Sequence, residues 1–203
     1  EFTPTHTFTN TNNYLVAYPV KLYVENEFGC IDSATTHVSV YPTSSYPLVI
    51  EPQEGCHPLE VNLTSAPGAI TYNWNFGDGN TESGAYQTTH LFNNTTNNAI
   101  VYNVTLEAVN PFNCPTTATG QVTVYPSPEA LFTVTPTQLQ MPDTEVTLVN
   151  QTAGSNWDYL WEFGDGTTST DQQPGTHVFP GSGTYQIRLT VTNGQCTSVT
   201  TQE

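Results

Sequence analysis

The feature that most constrains the fold of this chain is a pattern that the sequence repeats three times. Each copy starts with a His-x-Phe triplet, continues into a stretch of alternating apolar and polar residues, and then reaches a cysteine. The histidines of successive copies, His6, His90 and His177, are 84 and 87 residues apart. A nearly constant period of this length indicates a chain built from tandem structural units.

The alternating stretches predict β-strands. They are "YPVKLYVEN" at 18–26, "YNVTLEAVN" at 102–110 and "YQIRLTVTN" at 185–193. A period of two is typical of a strand that buries one of its faces. Convincing helical spacing occurs nowhere in the chain, and 14 Gly and 15 Pro separate the short runs. The sequence therefore predicts an all-β fold.

A second string occurs twice and places an aspartate between two glycines. It reads "NWNFGDGNTE" at 73–82 and "LWEFGDGTTS" at 160–169. Glycine permits positive φ, and an Asp-Gly turn between two strands is a strong hairpin signal. Our first interpretation is that Asp78 and Asp165 are turn residues whose side chains bond their own backbone.

The alternative interpretation of the two aspartates is a calcium site. A carboxylate on a tight turn would combine with oxygens of the preceding junction, Tyr41 to Ser44 for Asp78 and Tyr125 to Glu129 for Asp165. Calcium takes 6 to 8 oxygen ligands, and each string supplies one carboxylate. No cofactor is required by the sequence, and calcium is the one that it permits.

The positions of two similar strings predict where the units end. "VSVYP" at 38–42 and "VTVYP" at 122–126 each follow a cysteine by the same spacing. We therefore divide the chain into the C-terminal half of a repeat at 1–42, a complete unit at 43–126, and a unit at 127–203 whose last strand is expected to be truncated. About seven short strands and one central Trp in each complete unit predict tandem immunoglobulin-like β-sandwiches.

The repeated motifs resemble the polycystic kidney disease (PKD) repeat, whose hallmark is a W-x-F-G-D-G string. "GCHPLEV" at 55–61, a late cysteine and the "V-x-V-Y-P" junction are also similar to repeats of giant cell-surface gliding adhesins of flavobacteria. "QMPDTEV" at 140–146 departs from that variant, with Met141 in the place of a cysteine. The resemblance implies structural roles for the motif residues Trp74, Phe76, Gly77, Gly79 and His90 and for Trp161, Phe163, Gly164, Gly166 and His177.

The repeat register also predicts a disulfide. Four cysteines allow three full pairings. The register places only Cys56 and Cys114 together in one complete unit, so we expect a bond between them. In the same register Cys196 faces Met141, and Cys30 lacks an upstream half-repeat, so these two are expected to be free.

Charge excludes two classes of partner. The chain has 2 basic residues against 18 acidic ones, a formal net charge of −16. Nucleic-acid backbones and anionic lipid are bound by clusters of Lys and Arg. We therefore expect no nucleic acid partner. No apolar stretch approaches the length of a membrane span, so we also expect no membrane insertion in this segment.

Neighbouring repeats of the same chain are the expected partners, with surface polysaccharide or protein bound through other regions.

Catalysis is not predicted. The chain has neither a G-x-S-x-G elbow nor a G-x-x-x-x-G-K phosphate loop. Asp78 and Asp165 belong to different units, too far apart for an acid/base pair. His90 and His177 recur at one repeat position, which favours a structural histidine over a zinc ligand.

Two functions remain after these exclusions. The first is a non-catalytic spacer in a repetitive extracellular adhesin. The second is an accessory polymer-binding module of a secreted hydrolase of the chitinase, collagenase or protease type. A third reading, in which these units themselves form the ligand-binding tip, stays open. All three place the chain outside the cell or on its surface.

Overall fold

The computed structural model describes residues 3–203, and all the regular secondary structure in that range is β. No helix in that part of the chain is long and apolar enough to cross a membrane. The all-β prediction is confirmed. The strands are β1 (Val16–Glu25), β2 (Ile31–Val40), β3 (Val49–Glu51), β4 (Glu54–Cys56), β5 (Leu59–Thr64), β6 (Thr71–Asn75), β7 (Thr81–Ser83), β8 (Gln87–Phe92), β9 (Ile100–Val109), β10 (Pro115–Tyr125), β11 (Phe132–Thr135), β12 (Glu145–Asn150), β13 (Asp158–Glu162), β14 (Thr168–Ser169), β15 (Gly175–Val178), β16 (Ile187–Thr192) and β17 (Thr197–Gln202).

The first sandwich consists of two sheets with the strand orders β3-β5-β8 and β4-β10-β9-β6-β7. Its longest element is the antiparallel β9–β10 hairpin, which pairs Val109 with Pro115 near the turn and Ile100 with Val124 at the far end. The short strand β4 runs parallel to the end of β10 and places Cys56 beside Tyr125. Cys56 therefore lies at the end of the unit that is remote from the hairpin turn.

The core of the first sandwich follows from the alternation in its strands. Val104, Leu106 and Ala108 on β9 are completely buried, while Asn103 and Glu107 on the opposite face are exposed. The Trp74 indole packs into this core and donates its ring N–H to the Ala85 carbonyl at 3.1 Å. A buried indole is stable there because its one polar group has a partner.

The second sandwich repeats this arrangement with sheets β11-β12-β15 and β14-β13-β16-β17. Trp161, Leu189 and Val191 are completely buried in its separate core. Its last strand, β17, has 6 residues and pairs with β16 along its whole length. The corresponding strand of the first sandwich, β10, has 11 residues.

Residues 3–42 contain one hairpin, β1–β2, which pairs Val16 with Val40 and Glu25 with Ile31. Its sequence alternates as β9 does, yet Leu22 is 62% exposed. Both core clusters of the described residues contain only residues beyond 45, so no second sheet covers this hairpin.

Each hairpin turn packs on the junction that precedes its unit. The ring of Phe112, in the β9–β10 turn, lies 4.9 Å from the ring of Tyr41. Asn110 in the same turn donates to the Ser44 hydroxyl at 3.2 Å. In the second sandwich, Asn193 donates to the Pro126 carbonyl at 3.0 Å. The unit boundaries are thus held by side chains as well as by the main chain.

The predicted Cys56–Cys114 disulfide is wrong. Cys56 is bonded to Cys196 of the following unit, with 5.7 Å between the two Cα atoms, and Cys114 and Cys30 are free. Cys114 immediately precedes β10, whereas Cys56 lies beside its last residue. A strand of that length spans roughly 35 Å at about 3.3 Å per residue. A disulfide requires Cα atoms within about 7 Å, so the two ends of one unit cannot be joined.

Candidate functional site

The Gly-Asp-Gly turn of the first unit is held by its own side chains. Phe76 donates its backbone N–H to the Asn80 carbonyl at 3.2 Å, which closes the turn after β6. One oxygen of Asp78 accepts the Asn80 backbone N–H at 2.9 Å. In the second unit, Asp165 accepts the Thr167 backbone N–H at 2.9 Å. Both aspartates therefore cap their own turns.

The first glycine of each turn meets two constraints. Gly77 has φ +80° and Gly164 has φ +84°, a region that side chains rarely adopt. A Cβ on Gly164 would also lie 2.6 Å from the Gln186 carbonyl oxygen, and one on Gly77 would collide with the backbone of Asn103. The second glycine, Gly79 or Gly166, also has positive φ but faces open space.

A histidine completes each turn from the opposite sheet. His90 on β8 donates from Nε2 to the second oxygen of Asp78 at 2.7 Å. Its ring stacks on that of Phe76, with the ring centroids 3.9 Å apart. Phe92 contacts the same imidazole edge-on, with ring centroids 4.7 Å apart. The histidine thus joins the turn of one sheet to a strand of the other.

The second unit reproduces this cluster. His177 on β15 donates to Asp165 at 2.8 Å. Its ring stacks on that of Phe163, with the ring centroids 4.0 Å apart. The Asp165 side chain is 3% exposed, whereas that of Asp78 is 16% exposed. The two sites therefore share one geometry and differ in how well the carboxylate is shielded.

Both carboxyl groups titrate below the ordinary aspartate range. Burial acts to raise the pKa of Asp165, but hydrogen bonds from the Thr167 hydroxyl, the Thr167 backbone and His177 outweigh it and lower the pKa to about 2. Burial likewise opposes the hydrogen bonds from His90 and Asn80 to Asp78, which lower the pKa of that carboxyl. Bonds to the charged form favour it, so both aspartates are ionised at neutral pH.

The ligand set predicted for calcium is not assembled in the structure. The turn that holds Asp78 packs on Asn103, while the junction residue Ser44 contacts Asn110 at the other end of β9. Seven residues of strand separate these points by roughly 23 Å at about 3.3 Å per residue. The second unit shows the same separation, because the Asp165 turn packs on Gln186 and the junction contacts Asn193.

The residues around each aspartate also supply few ligands. Within residues 3–203, no group of three or more His, Cys, Asp or Glu side chains is placed to hold a metal ion. Both oxygens of Asp78 already accept hydrogen bonds, one from the Asn80 backbone and the other from His90 and the Asn80 side chain. Calcium binding at Asp78 or Asp165 stays the untested alternative to the turn interpretation, without the junction oxygens that it invoked.

The site that sequence reasoning missed lies between the two sandwiches. The Cys56–Cys196 bond links the end of the first unit to the β16–β17 turn of the second. A further contact between the units is the hydrogen bond that the Asn97 side chain donates to the Ser155 hydroxyl at 3.4 Å. The available signal was the position of the cysteines relative to the strands: Cys196 follows an alternating stretch, at a hairpin turn, whereas Cys56 precedes one.

Comparison with known proteins gives a family match and several weaker likenesses. A model of the PKD domain matches residues 51–124 and 125–203. Collagenase ColA of Bacillus cereus is 64% identical over 33 residues, which are 16% of this chain and only 3% of the collagenase.

Solved structures with a similar chain path include murine CEACAM1b, with TM-score 0.33, 14% identity and coverage of 77% of this chain and 97% of that chain. The fibronectin(III)-like modules of Clostridium thermocellum CbhA give TM-score 0.32 and 12% identity over 76% of this chain and 90% of that chain. A 1.5-MDa bacterial ice-binding adhesin gives TM-score 0.31 and 14% identity over 94% and 73% of the two chains.

Proposed function

Because this chain belongs to the PKD domain family, we propose that it is a non-catalytic structural spacer of a repetitive extracellular surface protein. The observation that carries the proposal is the separation of the two cores. One cluster surrounds Trp74 and the other surrounds Trp161, with no residue in common. Each of these two units is therefore a complete sandwich, and the chain holds them in a row after the β1–β2 hairpin.

The junctions support an extended row. The last residue of β10 and the first residue of β11 are separated by residues 126–131, which include two prolines. Proline fixes φ near −65° and favours an extended course. The Asn193 bond to Pro126 adds a side-chain contact across this junction. A short, braced junction keeps neighbouring sandwiches in line.

The length of the strands and the net charge of the chain suit an array of units that projects from a surface. A strand of 10 residues, as in β9, is roughly 33 Å long at about 3.3 Å per residue. The net charge of −16 makes neighbouring copies repel each other and keeps the surface soluble. We propose the gliding-adhesin type of surface filament as the specific setting, on the strength of the "GCHPLEV" and "VYP" strings.

A second candidate function is an accessory module of a secreted hydrolase that helps to engage a polymer. The observation in its favour is the stretch of 33 residues that is 64% identical to a collagenase. In this role the units would bind collagen, chitin or a related polymer beside a catalytic domain.

Small-angle scattering on the 203-residue chain tests the spacer proposal. A compact domain of that size has a radius of gyration of about 17 Å, and we expect a clearly larger value with a maximum dimension near 100 Å, about three strand lengths. A value near that of a compact domain would contradict the spacer. Sedimentation of the chain with insoluble collagen or chitin would support the accessory-module alternative instead.

A further inference from the structure

The disulfide between the units changes the covalent path through the chain. In sequence order, Cys56 ends β4 and comes early in the first sandwich, whereas Cys196 precedes β17 and comes late in the second. A pull applied to the two chain ends therefore reaches Cys56, crosses the sulfur–sulfur bond and leaves from Cys196. Residues 57–195 lie outside that path.

We propose that the Cys56–Cys196 bond is a cross-link that carries tension past most of both sandwich cores and limits how far the segment can extend. The bypassed loop contains the second core cluster completely, and the first except for Tyr46 and Ile50. Unfolding of residues 57–195 cannot lengthen the segment while the bond is intact. The two units can therefore add only the length of the strands that lie outside this loop.

The pairing between units makes this effect larger than a bond within one unit would. A bond between Cys56 and Cys114 would have bypassed residues 57–113 only, and the second sandwich would have stayed in the load path. The observed bond spans a sequence separation of 140. At about 3.5 Å per fully extended residue, it withholds roughly 490 Å of extension.

The segments that remain in the load path are short. They are residues 1–55 and 197–203, which include the β1–β2 hairpin, the short strands β3 and β4, and strand β17. β17 is an outer strand that pairs only with β16. We expect these peripheral pairings to yield first, after which the load rests on the disulfide.

The surroundings of the bond suit a permanent link. Cys196 is 2% exposed, and Cys56 is half-buried. Exchange requires a thiolate to reach one of the two sulfurs, so shielding slows reduction. The Asn97–Ser155 hydrogen bond is a second contact between the two units.

The load path follows from the covalent structure alone, whereas its biological use rests on the proposed function. Separate experiments can therefore contradict the load path and the spacer role. A compact shape in scattering would count against the spacer role and leave the load path untouched. Only a measurement of extension under force tests the cross-link.

The test is single-molecule force spectroscopy on the oxidised chain, held at its two ends. We expect a total contour length of about 220 Å for wild type, from residues 1–55 and 197–203 at about 3.5 Å each. The C56S/C196S double variant should reach about 710 Å, roughly threefold more. The matched C30S/C114S variant, which removes the two free thiols, should behave as wild type.

Folding of each variant is checked by its β-sheet circular dichroism and melting before pulling. If C56S/C196S does not fold, wild-type chain treated with dithiothreitol gives the same readout, because cleavage of the bond releases the loop. An oxidised wild-type chain that extends to about 710 Å would overturn the proposal. So would a reduced chain that extends no further than the oxidised one.

Discussion

The two complete sandwiches build the same turn but differ in the residue that links a unit to its neighbour. Asp78 with His90 and Asp165 with His177 form matching hydrogen bonds of 2.7 and 2.8 Å. At the linking position, the first unit has Cys56, bonded to the next unit, and the second has the exposed Met141. The turn is thus a property of each unit, whereas the disulfide is a property of a pair of units.

The difference reflects how far apart the partners are in sequence. Aspartate and histidine are 12 residues apart in both units, so the turn and the second strand after it bring them together within one sandwich. The bonded cysteines have a separation of 140, and only the packing of one folded unit on another brings them together. Substitutions within one unit should therefore act locally, while changes at the cysteines should act on both units.

The largest expected effect comes from removing one core Trp. Trp161→Ala should destabilise the second sandwich by about 3–5 kcal/mol, because a completely buried indole leaves a cavity. Trp74→Ala should do the same to the first sandwich. Differential scanning calorimetry should show that each variant lowers the melting of its own unit and leaves the other transition in place. Equal shifts of both transitions in both variants would show that the units do not fold separately.

The next effect separates the two glycines of one turn. Gly79→Ala should cost about 1–2 kcal/mol, because its φ of +97° is unfavourable for a side chain but the space is open. Gly77→Ala adds a collision with the Asn103 backbone, which should add about 1–3 kcal/mol. Urea unfolding of the two variants gives the comparison. Gly164→Ala and Gly166→Ala should rank in the same order, and a reversed order in either unit would contradict the packing described for the turns.

The fold could be predicted from local patterns because those patterns are short. The alternation in β9 and β16 identifies the strands, and the Trp-x-Phe-Gly-Asp-Gly strings identify the turn. The same alternation in β1 did not reveal the exposure of Leu22, because burial depends on a second sheet. The cysteine pairing could not be predicted by register, because register compares positions in sequence, whereas the bond depends on which end of a strand each cysteine occupies.

A smaller effect should appear in the pH dependence of stability. The pKa of Asp165 falls from an ordinary 3.8 to about 2 on folding, so the unfolded chain binds the proton more tightly. The stabilisation from this carboxylate is present above the unfolded pKa and is lost as pH falls through the folded value. Stability should therefore decline between pH 4 and 2, and Asp165→Asn should lose most of that slope for the second unit. Urea unfolding at several pH values measures it, with Asp78→Asn as the matched variant in the first unit. An unchanged slope in Asp165→Asn would show that other carboxyl groups cause the decline.

Calcium should have the smallest effect of all. A ligand that binds only the native state raises stability by mass action, by about 2.7 kcal/mol when its concentration is 100 times the dissociation constant. Asp78 and Asp165 offer one carboxylate each, and its oxygens already accept bonds from the turn and from a histidine. Displacing those bonds would remove the hydrogen bonds that cap the turn, and the junction oxygens that would complete the coordination lie at the other end of the sandwich.

We therefore expect superimposable melting curves in millimolar calcium and in chelator. A calcium-specific rise in melting temperature that Asp78→Asn or Asp165→Asn abolishes, and that magnesium does not reproduce, would establish a calcium site at that turn.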